Sequence, residues 1–273
     1  MISKKQEKLI RLLEQKKYRL REKLFVAEGP KVVGDLLSRQ EPAAVFATEE
    51  FNAPHHINIQ TVTDTELRRI SFLQHPQQVL ALFPLPESPI KLPFCGKQTE
   101  AENGSRSSLP LPLVLALDGV QDPGNLGTII RIADWFGINH IICSEDTADA
   151  WSPKAVQATM GSIARVEISY TDLPSMLDGL PKEIPVYGTL LDGHSIYSEE
   201  LSAGGIIIMG NEGKGLTQQV RRRINRRLLI PSYHQGNTAE SLNVAIATAI
   251  VCAEFRRRDN AYQQPQLSGT ARS

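Results

Sequence analysis

The fold turns on one stretch, Leu113-Val114-Leu115-Ala116-Leu117-Asp118-Gly119-Val120-Gln121-Asp122-Pro123-Gly124-Asn125-Leu126-Gly127. Its first five residues are apolar without alternation, the pattern of a strand buried on both faces. Pro123-Gly124 makes a turn, and Asn125 is suited to cap the helix that follows. That helix is expected from residue 124 to 136, with Leu126, Ile129, Ile130, Ala133 and Gly137 as its buried stripe. Arg131 lies off the stripe, near Thr128 and Trp135, and so can face the mouth of a cleft. Taken alone, a capped helix with a surface arginine is the plainer reading.

Downstream the alternation continues, with strands expected at 140–143, 185–189, 206–209 and 228–230. A long helix from 241 to about 257 closes the region, and it has almost no polar face, so it should be buried. Strands alternating with helices give an α/β fold with a mostly parallel, helix-covered sheet. Such sheets bind ligands beyond the carboxyl ends of their strands. Upstream, prolines at 84, 86, 89, 93, 110 and 112 and the small polar run 100–108 break every period. The expected organisation is therefore a small α/β domain at 1–84, a linker at 85–112, a second α/β domain at 113–258 and a polar, disordered tail at 259–273. In the first domain a single helix is expected over 4–21 and a strand over 24–26. Pro30 opens a second helix, strands follow at 43–47 and 79–83, and Asp64 caps a helix running to about 73.

The chain has 273 residues, 41% of them hydrophobic and 22% charged, which suits a soluble protein of two domains. No apolar run approaches the roughly 18 residues of a membrane span, and the N-terminus lacks a signal-peptide core. Cys95, Cys143 and Cys252 are scattered outside any ligand spacing, so a reducing cytoplasm is expected, with no metal and no disulfide framework. Thirty Lys and Arg balance thirty Asp and Glu. A nucleic-acid partner must then be met by local patches, since each neutralised phosphate needs a positioned cation. Lys4, Lys5, Lys8, Arg11, Lys16, Lys17, Arg19, Arg21 and Lys23 form one such patch, with Lys16, Lys17, Arg19 and Arg21 the expected phosphate contacts, and Arg221, Arg222, Arg223, Arg226 and Arg227 form another. Either run alone is the pattern of a solvated helix face.

Two further places put polar residues out of order. Gly210-Asn211-Glu212-Gly213-Lys214-Gly215 follows the strand 206–209, and its glycines allow close backbone approach to a ligand. It is no phosphate loop, because Leu216 and Thr217 follow Gly215, and no dinucleotide fingerprint, because Gln218 stands where Gly or Ala is needed. The other place is the start of the last helix, where Ser241 and Asn243 precede an apolar run. Ser241 can be the N-cap; Asn243 needs some other partner, since an unpaired buried polar group costs about 1–3 kcal/mol.

The three segments together resemble the SpoU/TrmH family of RNA ribose methyltransferases, part of the SPOUT superfamily. Residues 125–137 resemble the family's first motif, and 210–216 its second. Ile230-Pro231 with Ser241-Leu242-Asn243-Val244-Ala245 resembles its third. Phe25-Val26-Ala27-Glu28-Gly29 is similar to part of the family's ribosomal-protein-like RNA-binding domain. The resemblance implies a trefoil-knotted catalytic domain, a homodimer and S-adenosylmethionine as cofactor, held around Thr189, Gly210, Ile230 and Leu242. It implies active-site roles for Asn125, Arg131, Glu212, Ser241 and Asn243. The chain departs from the common pattern at 232–240, which is longer than usual, and at Ser232, where Met is usual.

Methyl transfer from a sulfonium is an in-line displacement that needs alignment of the ribose oxygen and management of its proton. The family's account makes Arg131 the base, although a guanidinium with a pKa above about 12 is reluctant to deprotonate. Orienting the phosphate and 2′-hydroxyl is the role its chemistry suits best, with Asn125, Ser241 and Asn243 holding it or the substrate. The substrate implied is structured RNA, ribosomal RNA being favoured over transfer RNA by the appended N-terminal domain. The rivals are a catalytically inactive RNA-binding assembly factor and a nicotinamide-dependent oxidoreductase.

Overall fold

The computed structural model describes residues 1–52, 54–86, 111–234, 236 and 241–258. The chain runs α1 (Lys4–Leu12), α2 (Lys16–Glu22), β1 (Leu24–Glu28), α3 (Pro30–Leu37), β2 (Ala44–Ala47), β3 (Gln60–Thr61), α4 (Asp64–Ile70) and β4 (Val79–Pro84). It continues with β5 (Leu113–Asp118), α5 (Pro123–Trp135), β6 (His140–Ser144), α6 (Pro153–Ala158), β7 (Glu167–Thr171), α7 (Leu173–Asp178), β8 (Val186–Ser195), β9 (Gly205–Gly210), α8 (Gln218–Arg221), β10 (Arg226–Leu229) and α9 (Val244–Arg258).

The N-terminal sheet has the order β1-β4-β2-β3. Alternation along β1 sends Phe25 and Ala27 to one face, against Val32, Val33 and Leu36 of α3, and Val26 to the other, with Ile10 of α1 and Leu67 and Ile70 of α4. The helix expected over 4–21 is two helices. The carbonyls of Leu13 and Glu14, left over where α1 ends, are taken by the Arg19 guanidinium at 2.6 Å each. Thr63, not Asp64, caps α4: its hydroxyl and the Glu66 carboxylate make a reciprocal capping box.

The second sheet has the order β10-β8-β9-β5-β6-β7, and every pairing in it is parallel. Helices α5 and α9 bury their apolar residues on one face, with Leu126, Ile130, Val251 and Phe255 against Leu115, Leu117 and Ile207. Helices α7 and α8 cover the other, with Met176, Leu177 and Val220 against Val114, Ile206 and Ile208. From β5 the chain leaves first toward β6 and β7 and later returns on the opposite side as β8 and β9. The carboxyl ends of β5 and β9 therefore lie at a topological switch point, the crevice where parallel sheets place ligands.

Two corrections bear on the site. The cap of α5 is Asp122, whose carboxylate accepts the Asn125 N–H at 2.8 Å, so the Asn125 side chain is released for other work. Helix α9 is apolar nearly all round yet not wholly buried, since Ile246 is 55% exposed. Residues 232–240 include 235 and 237–240, which lie outside the described residues, as do most of the linker, Cys95 and the tail. Elements β3, α6, β7, α7 and α8 were not expected from sequence.

Candidate functional site

The site is built where β5 and β9 end side by side, with Asp118 paired to Gly210. The chain turns back on itself after β9: Asn211 and Gly215 exchange both backbone hydrogen bonds. Asn211 fixes this turn from inside, its Oδ1 accepting the N–H groups of Gly213 and Lys214 while its Nδ2 donates to the Gly119 carbonyl at 2.7 Å. A Cβ at Gly210 would lie 2.5–2.8 Å from the backbone of Gly215 and Leu216. Glycine is thus demanded there by the turn itself.

On this turn stands Glu212. Its Oε1 accepts from Asn125 Nδ2 at 2.7 Å, and Asn125 Oδ1 accepts from Asn243 Nδ2 at 3.0 Å. The reverse setting of the Asn125 amide would face its oxygen to a carboxylate, so the network fixes the orientation. Asn243 also supplies the cap of α9, its Oδ1 accepting from Ala245 at 2.9 Å and Ile246 at 3.3 Å. That is the partner the sequence could not supply for it. Three segments far apart in the chain are therefore joined by one polar chain: Asn243, Asn125, Glu212.

Arg131 and Ser241 stand apart from that chain. Arg131 is exposed on α5 and, among the described residues, makes no hydrogen bond or ion pair. Ser241 is exposed before α9, likewise unbonded among the described residues. Among the described residues Asn125 and Asn243 bond each other and Glu212, and neither bonds Arg131. One turn of α5 beyond Arg131, Trp135 is 85% exposed.

Of the residues expected around the cofactor, Thr189 lies where the β8 ladder with its neighbours breaks, Gly210 and Ile230 lie at the carboxyl ends of β9 and β10, and Leu242 precedes α9. Pairing of β10 with β8 jumps from Arg227–Gly188 to Leu228–His194, so residues 189–193 swing out of the ladder. Thr189 begins this excursion, its hydroxyl donating to the Ile208 carbonyl at 3.4 Å, and Leu191 within it is exposed. Gly210 ends β9, Ile230 follows β10 half-buried, and Leu242 is half-exposed before α9. The excursion at 189–193 is not legible in the sequence, because nothing in Thr189-Leu190-Leu191-Asp192-Gly193 marks a bulge except the glycine. Asp118 was missed too. It is buried at the end of β5, accepts the Thr217 N–H at 2.6 Å, and burial raises its pKa above the usual carboxylate value.

Of the four basic residues expected to meet RNA, Lys16, Lys17 and Arg21 are exposed and lie over aromatic rings, Lys16 over Tyr170 and the other two over Tyr18. Arg19 does not belong with them. It is only 3% exposed and is consumed by the two carbonyls and by Asp149 at 2.5 Å. In the second basic run, Arg221 and Arg227 pair with Asp192, and Arg223 pairs with Asp178, which cancels much of that charge.

Comparison with known proteins places this geometry. The family profile described as SpoU rRNA Methylase family matches residues 112–253, and the MRM3-like substrate binding domain matches residues 4–81. The chain is 32% identical, over 89% of its own length and 93% of the other's, to the 23S rRNA (guanosine(2553)-2′-O)-methyltransferase RlmP of Bacillus subtilis. A Porphyromonas gingivalis structure described as of the TrmH family matches at 40% identity and TM-score 0.78, covering 94% of this chain and 99% of that one. The AdoMet-bound rRNA methyltransferase of Sinorhizobium meliloti matches at 30% identity and TM-score 0.78, covering 94% and 97%. With one profile spanning more than half the chain and relatives aligned nearly end to end, this protein belongs to the SpoU rRNA methylase family.

Proposed function

We propose that the chain transfers a methyl group from S-adenosylmethionine to the ribose 2′-hydroxyl of a guanosine in 23S ribosomal RNA, acting as a homodimer in the cytoplasm. The observation that carries this reading is the polar chain Asn243–Asn125–Glu212 at the switch point of the parallel sheet. It ties all three family segments into one surface. The names of the relatives supply the substrate class.

The cofactor, when bound, supplies an electrophilic methyl whose leaving thioether needs no proton. The residues present suit it: the strand ends at 189–193, 210 and 230 offer backbone donors and acceptors, and Leu191 and Leu242 offer exposed apolar surface for an adenine. Glu212 has one oxygen held by Asn125, which leaves the other for a ribose hydroxyl or a cation. Arg131, unengaged among the described residues, is available to clamp a phosphate with its planar fork. The 2′-hydroxyl it would orient is what distinguishes RNA from DNA.

A second copy fits the face made by α5 and α9. Trp135, at the end of α5, and Ile246, near the start of α9, are large apolar side chains left exposed on two helices that pack on each other, and exposed apolar surface of this kind marks an association surface. Covering them brings Arg131 to the interface, so that each site draws on both protomers. Calorimetry tests the cofactor assignment: S-adenosylmethionine should bind and NAD should not. Binding of NAD alone would overturn the assignment.

A further inference from the structure

The seam between the N-terminal unit and the methyltransferase unit carries charged side chains that satisfy one another, with Arg19 buried and Asp149, Asp35, Asp134 and Arg165 partly exposed. Arg19 is the first. Its carbonyl partners fix it within the N-terminal unit, and from there Nη2 reaches Asp149 Oδ2 at 2.5 Å and Nε the same oxygen at 3.2 Å. Asp149 in turn accepts the Trp151 N–H at 3.0 Å, just ahead of α6. Arg165 is the second. It lies between two carboxylates of different units, meeting Asp134 of α5 through Nε (3.0 and 2.9 Å) and Nη2 (2.7 Å), and Asp35 of α3 through Nη1 at 3.0 Å. Lys31 takes the other oxygen of Asp35 at 3.0 Å. Burial alone would raise the pKa of both carboxyls, yet their cation partners hold them below the usual range. Apolar packing closes the seam as well. Val156 of α6, 1% exposed, is part of the N-terminal core with Phe25, Val33 and Ala81. A Cβ at Gly161 would collide with the Asp35 carboxylate.

Asp134 lies on the same helix as Arg131, three residues on, and Asn125 opens that helix. The path from α3 through Arg165 therefore ends on the element that carries two of the site residues. Burying the charge of Arg19 is costly, exposed ion pairs such as those of Arg165 add little stability, and the geometric fork of each arginine specifies one arrangement. We propose that Arg19–Asp149 and Asp35–Arg165–Asp134 are positioning residues: they lock the RNA-binding unit at one angle to α5, so that RNA held by the first domain is presented to the methyl-transfer site. This rests on the function proposed above. It also accounts for an arginine in a basic run that never reaches solvent.

Asp35→Asn with Asp149→Asn tests it, because each change keeps the shape and the Trp151 N–H can still be accepted. The assay uses unmodified 23S rRNA transcribed in vitro with S-adenosylmethionine, at saturating concentrations and in single turnover. Displacing a substrate by about an ångström costs up to roughly a hundredfold, so the transfer rate should fall roughly tenfold to a hundredfold. Dissociation constants for the RNA and for S-adenosylmethionine should stay within about twofold of wild type, the remainder of each site being untouched. Asp35→Asn alone should show part of the loss and Asp35→Glu should recover it; should the double variant not fold, this pair carries the test. A rate unchanged from wild type overturns the positioning role, and so does a loss shared equally by rate, both affinities and melting temperature. Wild-type protein that transfers no methyl at all overturns the proposed function itself, and the lock's part in it.

Discussion

Asn243 faces two ways at once: its side-chain oxygen caps α9, and its side-chain nitrogen donates to Asn125 across 118 residues of chain. The two jobs can be separated. Asn243→Asp keeps a good capping acceptor but loses the donor and sets a carboxylate against the Asn125 oxygen. Its melting temperature should match wild type while methyl transfer collapses. Asn243→Ala loses both, and a lost cap of about 1 kcal/mol should lower the melting temperature by about 2–4 °C for a chain of this size. Equal melting temperatures for the two variants would remove Asn243 from the cap.

Arg131 is exposed and unpartnered among the described residues, so removing it should cost no stability. Arg131→Ala should leave the melting temperature and the affinity for S-adenosylmethionine at wild-type values and abolish transfer. Arg131→Lys should fail nearly as badly, because a point charge does not reproduce a planar bidentate fork. A loss of cofactor affinity parallel to the loss of rate would move Arg131 into the cofactor site.

Trp135 of α5 and Ile246 of α9 are exposed apolar residues. Trp135→Glu with Ile246→Glu should yield a folded monomer by analytical ultracentrifugation, with S-adenosylmethionine binding weakened or lost and transfer absent. A dimer that survives both charges would place the subunit interface elsewhere.

With Arg19 withdrawn from the surface, the patch expected to meet RNA reduces to Lys16, Lys17 and Arg21. Their triple alanine variant should weaken RNA binding and lower the salt slope by roughly 0.7–0.9 for each phosphate that is no longer neutralised. At saturating RNA its single-turnover rate should approach wild type. Arg19→Ala should behave differently, destabilising the fold, because Asp149 and two carbonyls are left without their donor. If the triple variant keeps wild-type affinity and salt slope, the patch is only a solvated face.

What the sequence shows well is what local pattern controls. The unbroken apolar run of β5 and the stripe Leu126, Ile129, Ile130 and Ala133 of α5 are where they were expected. The identity of a cap is a finer matter. Asp122 followed by Pro123 is itself a helix-start signal, and reading Asn125 as the cap hid its role as a bridge. Arg19 sits in a run of exposed cations, and only Asp149, far along the chain, makes it a buried residue. Helix α9 looks fully buried by period, but its exposed Ile246 belongs to a surface that composition does not separate from core. The excursion at 189–193 arises from how β8 pairs with β10, a non-local register that no window of residues contains.

The most direct test incubates the purified protein with methyl-labelled S-adenosylmethionine and 23S rRNA from a strain lacking the gene, then digests the RNA with alkali. Methylation of a ribose 2′-hydroxyl blocks cleavage at that nucleotide, so the account predicts label in an alkali-resistant dinucleotide that begins with guanosine, and none with Arg131→Ala. Label on a base, released with ordinary mononucleotides, or no transfer to the RNA at all, would contradict it.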